Sequence, residues 1–455
     1  EDNRVLRMDY SIQISKLFYE RFINDEEITL FSPHEVPGLY DAFGTDTFDD
    51  LYLKYEADKK IPKKTTGAQE LFFDLLKERA ETGRIYIMNI DHVNSHSSFK
   101  DRVSMSNLCQ EITLPTTPIQ HIDDVNGEIA LCILSAINVG IINDLDELEP
   151  LCDLAVRALE EIIDYQQYPV KAAEVSTKAR RSLGIGYIGL AHYLARMEVK
   201  YHHKAAWEAV DKLTEAFQFY LLKASCQLAQ ERGPCTKFDR TKYADGLLPI
   251  DTYKKEVDEI VPHKTRMAWE QLRKDIKQHG LRHSTLSAQM PSESSSVVSN
   301  ATNGIEPPRA LLSIKKSKKG PLKQVIPGFP KLKNSYTLLW DMPSNDGYIK
   351  IVAMMQKYFD QAISGNWSYN PLNYANNEVP LSVMAGDMLN AYKYGWKTSY
   401  YQNTYDFKGD EEDLQPSGID PIDTKDGSED LTLPGSDAKI STASTDTTDC
   451  DACAI

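Results

Sequence analysis

The chain predicts an α/β fold on three observations. Short apolar runs of strand character recur along it, segments with the 3.6-residue period of a helix lie between them, and the composition is that of a globular protein. Hydrophobic residues make up 41% and charged residues 26% of its 455 positions. No apolar run approaches the ~18 residues of a membrane span. A chain of this length holds roughly two to four average domains or one large barrel.

The elements follow in order. Arg84 to Asn89 is a strand, and Glu128-Ile-Ala-Leu-Cys-Ile-Leu134 reads as a second, buried one over Ile129 to Leu134. Leu151, Leu154, Ala155, Ala158, Leu159 and Ile162 recur at helical spacing and predict one buried helix face. A helix over Ala205 to Arg232 stops at Gly233-Pro234. Further helices are expected over Tyr348 to Ser364 and Leu381 to Tyr394, and further strands over Ala310 to Ile314 and Thr398 to Gln402. From Gly409 to Ile455 thirteen acidic residues face two lysines, with no Phe, Tyr or Trp. Such a segment buries too little apolar surface to offset its ordering entropy, so 409–455 is expected to be a flexible acidic tail beside a folded part, 1–408.

The net charge is −16, from 51 Lys and Arg against 67 Asp and Glu. That field repels nucleic acid, although a mononucleotide can still bind at a local site. Seven cysteines, at 109, 132, 152, 226, 235, 450 and 453, form no regular framework. With a polar opening, Glu1-Asp-Asn-Arg, they point to reduced thiols in a cytoplasmic setting.

Asn107-Leu-Cys-Gln-Glu111 places a thiol two residues from a carboxamide and two from a carboxylate. In an extended segment side chains alternate with period 2, so all three would share one side. A lone Cys109 is more often a small buried hydrophobe, and Cys132 on its strand more often core filler. Pro291-Ser-Glu-Ser-Ser-Ser296 offers hydroxyls and amides suited to phosphate oxygens, or is a plain serine-rich loop. With 24 tyrosines in the chain, about one adjacent pair such as Tyr400-Tyr401 arises by chance, and in a strand its rings would face opposite ways. Cys450-Asp-Ala-Cys453 is a metal half-site or a redox dithiol, and no nearby second pair completes a metal site. Gly184-Ile-Gly-Tyr-Ile-Gly189 satisfies a dinucleotide pattern but follows Arg180-Arg181-Ser182 and not an apolar strand, so close helix packing is the expected use. His92 and His96 are expected to be solvated in a polar loop.

Asn107-Leu-Cys-Gln-Glu111, running into Ile-Thr-Leu-Pro115, resembles the finger loop of the large subunit of class I (aerobic) ribonucleotide reductases. Leu30-Phe-Ser-Pro-His-Glu-Val-Pro-Gly-Leu-Tyr40, Asn126-Gly-Glu-Ile-Ala-Leu-Cys132, Met290-Pro-Ser-Glu-Ser-Ser-Ser296 and Tyr400-Tyr401 fit the same family in the same order. The resemblance implies a ten-stranded α/β barrel of two five-stranded halves, with Cys109 threaded through its centre. It implies reduction of ribonucleoside diphosphates by a thiyl radical on Cys109. Glu111 would be the general base, Asn107 a neutral donor to the ribose, and Cys132 half of a redox pair. Pro291, Ser292, Glu293, Ser294 and Ser295 would hold the diphosphate, with Glu293 acting through its amide. Tyr400 and Tyr401 would relay the radical, and Cys450 with Cys453 would restore the active-site thiols.

The same resemblance implies no cofactor on this chain itself. The radical would come from a metal-containing small subunit, and the reductant would be thioredoxin or glutaredoxin. In the family several hundred residues precede the position of Glu1, including the partner of Cys132 and the effector-site loops. The chain is therefore expected to be the C-terminal part of a large subunit, a fragment or a product of a divided gene, inactive alone and needing a complementary N-terminal part. Two other readings stand beside this one: a non-catalytic assembly remnant, and a glycyl-radical relative, for which the tail supplies no glycine motif.

Overall fold

Strands and helices alternate along the chain, and the residues singled out above lie in its loops and at the ends of its elements. The structure, a computed structural model, describes residues 9–317 and 320–405. The acidic segment 409–455, with Cys450 and Cys453, lies outside the described residues. β1 (Tyr10–Ile14) and an antiparallel pair, β2 (Glu27–Phe31) and β3 (Lys63–Gly67), precede β4 (Ile85–Asn89). β4 is buried at every position, as a strand covered on both faces must be. β1 runs parallel to it. Next in the chain, β5 (Ile133–Asn138) pairs in parallel with β6 (Leu183–Ile188), and β7 (Leu312–Ser317) pairs antiparallel with β8 (Gly320–Val325). β9 (Trp367–Tyr369) lies last but two, followed by β10 (Thr398–Ser399), antiparallel to β4, and β11 (Gln402–Thr404), parallel to β9. Among the described residues these make one three-stranded and four two-stranded sheets, with no closed barrel.

Single bridges extend the β5–β6 pair. Ile185 bridges Ser287 and Gln289 bridges Ile363, both in parallel, so four segments run side by side towards one end. The glycine-rich run is β6 itself, which corrects the expectation of helix packing. A Cβ on Gly184 would come within 2.6 Å of Leu134 Cδ2 and 2.9 Å of Cys132 Sγ, and one on Gly186 within 2.6 Å of the Ala288 carbonyl. These glycines let neighbouring segments approach closely.

The Lys204–Arg232 helix matches its expected limits and is buried along most of its length. Its interior charges are paired: Glu215 accepts from the Arg266 guanidinium at 2.7 Å and from Trp269 Nε1 at 3.1 Å, and Asp211 meets Arg266 at 2.7 Å. Against it packs the Leu148–Tyr165 helix, in a rotation the stripe did not give. Leu148, Cys152, Val156, Leu159, Glu160 and Ile163 face inward, while Leu154 is 65% and Ile162 42% exposed. Apolar residues cover more than half of this helix's circumference. The ion pairs of Glu160 with Arg181 and Arg282 therefore help to set which arc turns in.

Other boundaries also differ. The helix expected over Tyr348 to Ser364 spans Asp346–Gln356, and Lys397 Nζ then donates to the carbonyls of Phe359, Asp360 and Gln361 at 3.3, 2.9 and 2.8 Å. These bonds hold the chain just after it has left the helix, and burial lowers the Lys397 pKa well below that of a free lysine. The strand expected from Ile129 begins at Ile133, the one expected from Ala310 begins at Leu312, and Thr398 to Gln402 is broken at the tyrosine pair. His92 and His96 are buried, not solvated. His92 Nε2 lies 2.8 Å from the Tyr392 carbonyl, and His96 is held between Thr252 Oγ1 at 2.8 Å and the Gln356 carbonyl at 2.7 Å. Burial lowers both pKa values, that of His92 to about 4.

Candidate active site

Asn107 to Ile112 form a tight turn, not the extended segment that the alternation argument assumed. The Asn107 N–H donates to the Ile112 carbonyl at 3.2 Å and the Gln110 N–H to the Asn107 carbonyl at 3.3 Å, while Asn107 Oδ1 accepts from the Ile112 N–H at 3.0 Å. Gln110 closes the turn at φ 71°, in the left-handed region. The juxtaposition of Asn107, Cys109 and Glu111 thus comes from a reversal of the chain. Cys109 and Glu111 are 3% and 2% exposed. Burial raises the Glu111 pKa above the usual carboxylate range, against hydrogen bonds from Asn107, its own backbone and Ser364. A carboxylate held this way is a stronger proton acceptor than one in water.

The turn is anchored to the segment after the Asp346–Gln356 helix. The Ala362 N–H donates to the Glu111 carbonyl at 3.0 Å, and the Thr113 N–H to Gln361 Oε1 at 3.3 Å. Ser364 Oγ contacts the Cys109 carbonyl and lies 3.0 Å from Glu111 Oε2.

Tyr400 and Tyr401 sit in the gap between β10 and β11. The Tyr400 N–H donates to the Gly365 carbonyl at 2.9 Å, the Tyr401 N–H to Asn366 Oδ1 at 3.2 Å, and the Trp367 N–H to the Tyr401 carbonyl at 2.8 Å. Interrupting the strand brings the two rings together, with centroids 4.1 Å apart, where a regular strand would send them to opposite faces. Tyr86 on β4 packs against both, at 4.7 and 5.4 Å. The Tyr400 hydroxyl lies 3.4 Å from Cys109 Sγ. Burial, then its hydrogen bonds to Cys109 and Tyr401, raise the Tyr400 pKa far above an ordinary phenol. Such a phenol is held in its protonated form.

Cys132 lies just ahead of β5, and Gln361 ties it to the turn. Gln361 Nε2 is 3.6 Å from Cys132 Sγ and donates to the Leu183 carbonyl at 2.9 Å, while Gln361 Oε1 receives Thr113. Desolvation raises the Cys132 thiol well above its usual range, and the Glu111 charge adds to this. Among the described residues Cys132 is a free thiol.

The serine loop adjoins the same segment. The Gln289 N–H donates to the Ala362 carbonyl at 3.1 Å and the Ser364 N–H to the Gln289 carbonyl at 2.9 Å. Ser292, at φ 57°, then starts the Glu293–Val298 helix. Ser292 is buried, Pro291 and Glu293 are half-buried, and Ser294 and Ser295 are exposed. The first amides of a helix have no partner within the helix. The structure thus brings Asn107, Cys109, Glu111, Cys132, Tyr400 and Tyr401 to one place, with 291–295 alongside.

The family model described as the ribonucleotide reductase barrel domain matches residues 1–402. The chain belongs to the ribonucleotide reductase family. It is 57% identical over 420 residues to the ribonucleoside-diphosphate reductase subunit alpha of Haemophilus influenzae, covering 91% of this chain and 56% of that protein. It is 54% identical over 423 residues to the Escherichia coli ribonucleoside-diphosphate reductase 1 subunit alpha, covering 92% and 56%. To the subunit alpha of Enterobacteria phage T4 it is 42% identical over 419 residues, covering 90% and 55%. The chain spans about half the length of the curated relatives it matches.

Within this reductase domain the sequence reading missed Ser364, Gln361, Asn366 and Tyr86. Ser364-Gly365-Asn366 had a signal: three turn-forming residues in succession at the end of the segment expected to be helical. Gln361 and Tyr86 had none, since only the fold places them against Cys132 and the tyrosine pair.

Proposed function

We propose that this chain is the C-terminal catalytic part of a class I reductase α subunit and that it reduces ribonucleoside diphosphates to their 2′-deoxy forms. The observation that carries the reading is the contact of Tyr400 with Cys109, with the Tyr401 ring packed at a tilt against Tyr400 and Glu111 on the same turn as Cys109. On this reading the radical reaching Tyr401 passes to Tyr400, whose phenoxyl oxygen takes the hydrogen atom of Cys109, leaving a sulfur radical and restoring the Tyr400 hydroxyl. The radical takes the 3′ hydrogen of the ribose, Glu111 takes the 3′-hydroxyl proton, and Asn107 steadies the developing charge as a neutral donor. The 2′-hydroxyl leaves as water while Cys132 and a thiol outside this chain supply two electrons and close to a disulfide. Cys109 then returns the hydrogen to the 3′ carbon. Amides of 293–295 hold the diphosphate, an arrangement supported by the helix start at Ser292.

The barrel of ten strands belongs to the same proposal, its remaining strands coming from a complementary N-terminal part. A small subunit with a metal centre supplies the radical, and the Cys450–Cys453 dithiol, recharged by thioredoxin or glutaredoxin, reopens the disulfide. The test is Cys109→Ser in the assembled enzyme. Abolition of deoxynucleotide formation is expected, and retention would mean a non-catalytic assembly role.

A further inference from the structure

We infer that Ser364 is a positioning residue that ties the protonation state of Glu111 to the backbone of the turn carrying Cys109. The inference rests on the roles proposed above for Cys109 and Glu111 and extends them to a residue with none. Ser364 is 5% exposed. Its hydroxyl faces two oxygens at once, the Cys109 carbonyl and Oε2 of Glu111, the latter at 3.0 Å.

A serine hydroxyl has one proton to donate. With Glu111 ionised, both neighbours are acceptors and only one can be served. The bond to the carboxylate is charge-assisted and stronger, so the hydroxyl turns to Glu111 and releases the Cys109 carbonyl. With Glu111 protonated, the carboxyl donates to Ser364 Oγ and Ser364 donates to Cys109. The run Glu111 to Ser364 to Cys109 is then satisfied throughout, and each bond polarises the next. Ser364 Oγ lies within hydrogen-bond reach of both oxygens, as this second arrangement requires, and burial shifts Glu111 in the direction that favours it.

The groups that act on Glu111 come from every element packed around it. Asn107 and the Glu111 backbone belong to the turn, Ser364 to the 361–364 segment, and the Cys132 thiol to the approach to β5. Asp360 acts on the same thiol, and Tyr400 reaches the turn through the Cys109 sulfur. None of these is a cation, so Asn107, the Glu111 backbone and Ser364 are left to favour the ionised form. In the reaction the proton on Glu111 is the one taken from the 3′-hydroxyl, and it is later returned there. Its arrival turns the Ser364 hydroxyl onto the Cys109 carbonyl and stiffens the turn while the sulfur holds the substrate hydrogen. Its departure reverses this. No bond other than hydrogen bonds changes at Ser364.

Two measurements on the full 455-residue chain decide the matter without turnover. The first is infrared pH titration of the Glu111 carboxyl, assigned by its loss in Glu111→Gln. Ser364→Ala is expected to raise its midpoint by about half to one pH unit, and Ser364→Thr, which keeps the hydroxyl, to restore it. The second is amide hydrogen exchange of residues 107–112, corrected for intrinsic rates. Wild-type protection is expected to be several-fold higher below the Glu111 midpoint than above it, and this difference should vanish in Ser364→Ala. A merely structural serine would lower protection equally at all pH values, and that result, or pH-independent protection in the wild type, overturns the inference. If Cys109→Ser retains activity, the proposed reaction falls, and the infrared and exchange results still decide the link.

Discussion

Replacing Tyr400 by Phe removes one hydroxyl from a site that is 1% exposed. The structure separates what that hydroxyl can do as a structural group from what it does as a relay. Its bond to Cys109 Sγ, at 3.4 Å, is a neutral contact to sulfur, with a net contribution of at most about 1.5 kcal/mol. The ring, its packing on Tyr86 and Tyr401, and the backbone bond to Gly365 all survive. A loss of 1.4 kcal/mol corresponds to about tenfold in rate, so a purely structural hydroxyl permits no more than roughly a tenfold fall in turnover. As a relay the phenol must give up both proton and electron, which phenylalanine cannot do. Turnover is then expected to fall by about a thousandfold or more, ~4 kcal/mol in the barrier. The assay is deoxynucleotide formation by the enzyme assembled with its N-terminal part and small subunit, with nucleotide binding and denaturant unfolding measured alongside. Tyr401→Phe should give the same loss with binding intact. A Tyr400→Phe enzyme that keeps more than a tenth of wild-type turnover would refute the reasoning.

Two further predictions concern carboxylates, one buried and one half-buried. Glu160 accepts from Arg181 at 2.8 Å, Arg282 at 2.6 Å and His283 at 3.0 Å. Burial alone would raise its pKa, but those bonds hold it well below the usual range. Its stabilisation is therefore present above about pH 4.5 and lost as pH falls further. Glu160→Gln should cost on the order of 3 kcal/mol at pH 7, with the gap to wild type narrowing towards pH 3 in urea titrations. Glu306 is the opposite case: burial lifts its pKa to about 7 despite Arg309 and the Asn366 amide at 2.5 Å. A raised carboxyl pKa means that folding grows less favourable as pH rises from the ordinary carboxylate range through 7. Glu306→Gln removes that slope, so the variant should gain on wild type by up to about 3 kcal/mol between pH 5 and pH 8.

Much of the site was legible because its residues are close in sequence. Asn107, Cys109 and Glu111 announce themselves within five positions, and Tyr400-Tyr401 within two. The physical reason given for the first group was still incorrect, since a turn and not strand alternation joins them. Both tyrosine rings share a side because the strand breaks there, and period 2 cannot foresee a break. Gln361 stayed hidden because the apolar pattern after Tyr348 runs on past Gln356, and the chain beyond the helix is held by Lys397, a buried side chain from a distant segment. The same limit explains the Leu148–Tyr165 helix. Its period was visible, but the arc that faces inward depends on Arg181 and Arg282 meeting Glu160. His92 and His96 read as solvated because polar neighbours surround them in sequence, whereas their partners, Tyr392, Thr252 and Gln356, come from other elements.

The most direct test of the account is a crystal structure of the assembled enzyme with a ribonucleoside diphosphate bound. The account predicts the diphosphate on the amides of 293–295, the ribose 3′ carbon facing Cys109 Sγ, and the 3′-hydroxyl within hydrogen-bond reach of Glu111. A nucleotide seated elsewhere, or a Cys109 sulfur closed off from the ribose or turned to open solvent, would contradict it.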